Sequence, residues 1–231
     1  MRGALKHRTF PTRGEPTDVP LAVISAGLAF AAVGAFAERL ASVWPADEAS
    51  HRGPGLRTVL LALAAAGAGA GIAARSALPW WATLVYLGLV ALLVLLAATD
   101  LEQRRLPHLL LDPLILGAAL FVPFNPAVSP LSALLGAAVA IGFLGLVGLL
   151  IRGGLALGDL YLVAPIGLLL GWPTTFVAIF LASLLAAGTS LVLMAARRVG
   201  LRSYVPFGPF LVAGAVVALL TDPALLLGVP R

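Results

Sequence analysis

This chain of 231 residues contains no cysteine. Disulfides, thiolate zinc sites and a cysteine nucleophile are thereby excluded, and nothing follows about redox compartment. Charge is scarce too: Asp, Glu, Lys and Arg make up 11% of the residues, where soluble domains carry about 25%. The three histidines, His7, His51 and His108, lie far apart and none stands in a His-Glu-x-x-His pattern. Neither a metal nor any other cofactor is expected. What abounds instead is apolar: 61% of the residues are hydrophobic, with a mean hydropathy of +1.05. This composition is that of an all-α polytopic membrane protein, whose first partner is the lipid bilayer. The net charge of +5 does not indicate nucleic acid, because the basic residues border apolar runs and form no patch with interleaved aromatics.

Residues 1–18 are a polar tail with Arg2, Lys6, Arg8 and Arg13. The following run, Val19 to Ala37, is 19 residues long, above the ~7–15 of a signal-peptide core, and reads as a first spanning helix. Residues 38–57 are a short hydrophilic loop, and Thr58 to Ala74 is an Ala/Gly-rich run suited to close helix packing. Residues 19–76 thus form an N-terminal membrane part, 77–222 a core and 223–231 a C-terminal tail. The core opens on Ala77 to Thr99, with Trp80, Trp81 and Tyr86 near its start as interfacial anchors. Further apolar runs lead to Val122, from Pro130 to Ile151, through Leu155 to Gly171, from Thr174 to Ala196, and from Pro206 to Leu220. About eight spanning helices result, or seven if one N-terminal run does not span.

Two acids stand out against this background. Asp159 is the only charged residue between Gly153 and Gly171, and a charge within the bilayer costs about 2.5–3.5 kcal/mol on insertion scales, so its presence points to use. Asp100 closes the longest apolar run. With alternating spans, Asp100, the Gly158-Asp159 segment and the Pro206-Phe207-Gly208-Pro209 segment meet at one face. Loops on that face hold Arg39, Arg52, Arg57, Arg104, Arg105, Arg152, Arg197, Arg198 and Arg202, nine basic residues against six on the other, which places it in the cytoplasm. The basic tail counts against this orientation. Asp112, beside Pro113, reads as an acid lining a wet cavity. Glu102 reads as a solvated loop acid paired with Arg104 or Arg105. Ser132, Ser183, Thr189 and Ser190 read as helix-packing groups, since no membrane histidine stands by as a base.

Two carboxylates at one membrane face fit aspartic proteolysis, in which one proton is shared between the acids and a water is activated. Gly158 would clear room for a peptide backbone, and Pro206 and Pro209 would leave unpaired backbone groups for an extended substrate. The same acids also fit ion ligands in a small ion-coupled transporter or channel, where Pro- and Gly-broken helices are usual.

The order Asp100-Leu-x-x-x-x-Leu106-Pro107, Gly158-Asp159-x-x-Leu162, then Pro206-Phe-Gly-Pro209-Phe-Leu-x-x-Gly214-Ala resembles the type IV prepilin peptidase family over roughly residues 78–220. The resemblance implies an intramembrane aspartic endopeptidase of the plasma membrane. Its catalytic residues would be Asp100 and Asp159, and Gly158, Pro206, Gly208 and Pro209 would shape the substrate channel. The substrate it implies is a prepilin or pseudopilin with a basic leader and one hydrophobic helix, cleaved at the cytoplasmic face. Two positions depart from the family pattern: Ala156 replaces the first glycine of Gly-x-Gly-Asp, and Tyr161 replaces a lysine. These departures also fit a non-catalytic homologue. Many family members carry a four-cysteine methylating domain between their first two helices, where this chain has only residues 38–57 and no cysteine.

Overall fold

The computed structural model describes residues 18–44, 50–150, 157–198, 200 and 205–229. Arg152, Gly153, Ala156, Arg202 and the N-terminal basic residues, named above, lie outside them. The described residues form α1 (Asp18–Val43), α2 (Leu56–Arg75), α3 (Trp80–Gln103), α4 (His108–Phe121), α5 (Pro130–Leu150), α6 (Leu157–Leu170), α7 (Thr174–Ala195), α8 (Gly208–Thr221) and the short α9 (Pro223–Leu227). A 3₁₀ turn, Val122–Phe124, extends α4. No strand occurs among the described residues. Five helices (α1, α2, α3, α5 and α7) are long and apolar enough to cross a membrane, and α4, α6 and α8 are shorter apolar helices. The chain is an all-α, multi-pass membrane protein.

Successive helices alternate in direction, which gives the bundle two ends. At one end the last turn of α3 meets the starts of α6 and α8 and the loop between α1 and α2. At the other, the buried Tyr86 hydroxyl lies 3.1 Å from Asn125 Oδ1 and 3.3 Å from the Leu169 carbonyl. There too Ser132 Oγ donates to the Trp172 carbonyl, and the Arg75 guanidinium donates to the carbonyl of Leu220. The Asp222 side chain caps α9, which folds back so that the Ala77 amide donates to the Leu225 carbonyl.

α3 is the central element. Half of its 24 residues are buried, and it packs against α1, α2, α4 and α8. Its interior positions are filled by Leu89, Val90, Leu93, Leu96 and Ala97. Close approach elsewhere depends on missing side chains: a Cβ on Gly167 of α6 would stand 2.5 Å from Ala137 Cα of α5, so only glycine allows the two backbones that near.

Three sequence expectations change here. Tyr86 is not an interfacial anchor: it is 1% exposed and stacks edge-on against Phe121, while Trp80 and Trp81 remain exposed. The polar stretch from residue 38 is not all loop, because α1 continues to Val43 and carries Glu38 and Arg39. Pro209 does not prevent a helix start. It sits in the first turn of α8, where its absent N–H costs no helical hydrogen bond.

Candidate active site

Asp100 stands in the last turn of α3, and its carbonyl accepts the amide of Arg104, whose positive φ of 54° ends the helix. Asp159 stands in the first turn of α6. The bundle brings both to one cavity of about 530 Å³, lined also by Arg104, Arg105, Leu106, His108, Gly158 and Tyr161. Asp100 is 6% exposed and Asp159 2%. The two acids lie within electrostatic range of each other, and the Gly208 backbone adjoins the Asp100 carboxyl group. Asp100 Oδ2 takes no hydrogen bond from the described residues. A carboxylate this covered is costly to maintain unless it is paired, hydrogen-bonded or put to use.

Glycine is needed at position 208 by space alone. A Cβ there would fall 2.5 Å from Asp100 Oδ2, well inside van der Waals contact. At position 158 a Cβ would come 3.0 Å from Leu106 Cδ1, so Gly158 lets the α3–α4 turn close against α6. Thus Asp100, Gly158, Asp159 and Gly208, far apart in sequence, converge. Pro206 is partly buried beside Gly208, while Pro209 faces another, apolar cavity of about 260 Å³ with Leu61, Leu101 and Val212.

Some residues stand elsewhere than expected. Asp112 lines no cavity with Asp100; it is exposed on the outer side of α4, its Oδ1 lying 3.3 Å from His108 Nδ1. Glu102 is neither in a loop nor paired with Arg104 or Arg105. It lies on α3 and binds Arg52 and Arg57 from across the bundle. The sequence reading assigned the cavity walls no part in the site: Arg104 and Arg105 occupy x positions of the first motif, His108 directly follows it, and Tyr161 stacks edge-on with His108, ring centroids 5.7 Å apart. Their signal was proximity to Asp100 and Asp159 at helix ends. Among the described residues no group of three or more histidines and acids converges to hold a metal ion.

The comparisons with known proteins agree with this geometry. Residues 87–191 match the model of the type IV leader peptidase family, a span that holds Asp100, Gly158 and Asp159 but not the segment at 206–209. The prepilin leader peptidase/N-methyltransferase of Aeromonas hydrophila is 36% identical over 149 residues, 62% of this chain and 51% of that protein. The protein of the same name from Burkholderia pseudomallei (strain 1026b) is 33% identical over 181 residues, 75% of this chain and 58% of its own. That from Bacillus subtilis (strain 168) is 32% identical over 138 residues, 57% and 53%. The chain spans about half the length of the curated relatives it matches. No solved structure matches it. With Asp100 and Asp159 inside the matched span and the segment at 206–209 brought near Asp100 by the fold, this chain is similar to the type IV leader peptidase family over residues 87–191.

Proposed function

We propose that this protein is an intramembrane aspartic endopeptidase with Asp100 and Asp159 as its catalytic pair, which removes the N-terminal leader of a prepilin or pseudopilin at the cytoplasmic face of the cell membrane. The observation that carries this reading is the convergence of the two covered carboxylates on one cavity. The names of the relatives support the substrate class. The clustering of arginines around the Asp100 end supports the cytoplasmic orientation.

The chemistry follows from the pair sharing one proton. The ionised carboxylate takes a proton from water as the water oxygen bonds to the scissile carbonyl carbon. The protonated partner meanwhile gives its proton to the carbonyl oxygen. When the tetrahedral gem-diol collapses, the acid now protonated gives its proton to the leaving nitrogen as the C–N bond breaks, and the other carboxylate takes a proton from a gem-diol hydroxyl, which restores the starting state. Gly208 leaves the Asp100 carboxylate room to stand against the start of α8, and Gly158 lets Leu106 close against α6 beside Asp159. The methyltransferase half of the relatives' name is not carried over, because only residues 44–55 separate α1 from α2.

The test is cleavage of a pilin precursor co-reconstituted with the full chain in lipid vesicles. Asp100→Asn and Asp159→Asn keep size and polarity but remove the transferable proton, and each should slow cleavage by roughly 10²–10⁴-fold. Unimpaired cleavage by either variant removes that residue from the mechanism. If both cleave normally while a cation flux into the vesicles is lost, the acids serve transport instead.

A further inference from the structure

We infer that Arg52, in the described residues 50–55 that lead into α2, straps the catalytic turn of α3 in register, and that Glu102 and Arg52 are positioning residues for Asp100. The inference rests on the dyad reading above. Asp100 lies within four residues of the end of its helix, and a terminal helical turn frays because its carbonyls lack partners further along the chain. A dyad that must share one proton does not tolerate a fraying turn, since a misplacement of about 1 Å can slow a reaction on the order of 100-fold.

Two consecutive residues of that turn are tied down. The Arg52 guanidinium donates to Glu102 Oε2 and lies 3.6 Å from Glu38 Oε1 of α1. Arg57 of α2 reaches the same Glu102 oxygen at 3.4 Å, and the Thr58 hydroxyl donates to Glu38 Oε2 at 2.8 Å. The loop backbone is gripped in turn, because Arg39 donates to the Arg52 carbonyl. Beside this cluster, the Gln103 amide donates to the Ala41 carbonyl of α1 at 2.6 Å. Glu38, Arg52, Glu102 and Arg57 alternate in sign, and Arg39, held on the Arg52 carbonyl, adds one further positive charge. The side chains of Glu38 and Glu102 are only 10% and 12% exposed, while Arg52 is 36% and Arg57 69% exposed, so water screens the Arg57 pair and the Arg52 pairs are the tie that counts. The cluster stands apart from the dyad cavity, and none of its members lines it. It therefore acts on Asp100 only through the backbone of the α3 terminus.

The test compares steady-state cleavage of a pilin precursor in vesicles by Arg52→Gln, by Glu102→Gln and by the charge-preserving Arg52→Lys, each alongside its thermal unfolding. A positioning role lowers kcat of each glutamine variant about 10- to 100-fold at nearly unchanged KM, and Arg52→Lys retains most of it. If kcat per folded molecule is unchanged and only the melting temperature falls, the cluster is structural and the inference fails. Loss of kcat in Arg52→Lys as large as in Arg52→Gln also overturns it. Should the single variants not assemble, Gln103→Leu removes the second tie alone and must lower kcat in the same way. Asp100→Asn separates the two readings: full activity there refutes the dyad, whereas an inactive Asp100→Asn beside a fully active Glu102→Gln refutes the strap alone.

Discussion

A methyl group added at position 208 has only the Asp100 carboxylate to displace, its Cβ falling 2.5 Å from Oδ2 and 3.2 Å from Cγ. A carboxylate can rotate, so folding should tolerate Gly208→Ala while catalysis should not. Cleavage is expected to fall about 100-fold with little change in melting temperature, measured as kcat and thermal unfolding on one preparation. Equal kcat would mean that Asp100 does not act from its observed rotamer. Asp112→Asn should behave oppositely and retain nearly full cleavage, because its side chain is 70% exposed and its polar partner among the described residues is His108. At this scale the motifs named residues that the fold does bring together, Asp100, Gly158, Asp159 and Gly208. The sequence misled where a partner had to be found across the bundle. Glu102 has two arginines a few residues on, yet it binds Arg52 and Arg57, separated from it by 50 and 45 positions.

Between elements, α6 owes its place to two glycines. Gly167 packs on the α5 backbone at Ala137, and a Cβ on Gly136 would fall 2.7 Å from the Gly167 carbonyl oxygen. Backbone cannot rotate out of the way as a carboxylate can. Gly167→Ala should therefore push the two helices apart and destabilise the protein by about 1–3 kcal/mol, seen as a lower unfolding midpoint in detergent or lipid. Because α6 carries Asp159, cleavage should fall as well, and an unchanged midpoint would contradict the packing account. All eight apolar helices were legible from hydropathy, since runs of that length have few alternatives. Their ends were less so. α1 passes Ala37 to reach Val43 because Glu38 is neutralised within the strap cluster. Charge along a sequence marks a helix end only when it goes to water.

For the whole molecule, the central expectation is orientation. Among the described residues Arg39, Arg52, Arg57, Arg104, Arg105, Arg197 and Arg198 belong to the Asp100 end and Arg75 to the other, the asymmetry that sets topology in short loops. The absence of cysteine makes this directly measurable. Arg198→Cys should resist an impermeant thiol reagent added to intact cells and react after permeabilisation. Phe124→Cys, at an exposed position of the opposite end, should react in intact cells. The reverse pattern would invert the molecule and move the acids to the outer face. The alternation that brings three separated motifs to one end was readable from the number of runs. The cover over Asp100 was not, because it depends on how far α6 and α8 fall short of the helices around them: 14 residues each rise only about 21 Å, against roughly 30 Å of hydrocarbon.

The most direct measurement of the central claim is the residual cleavage rate of Asp100→Asn, of Asp159→Asn and of the double variant, on one pilin precursor in one lipid. If the two carboxylates form a single proton-sharing unit, either change alone removes the unit, and the double variant should be no more than a few-fold slower than the slower single one. Should the two effects multiply instead, or should either single variant cleave at the full rate, Asp100 and Asp159 are not a catalytic pair.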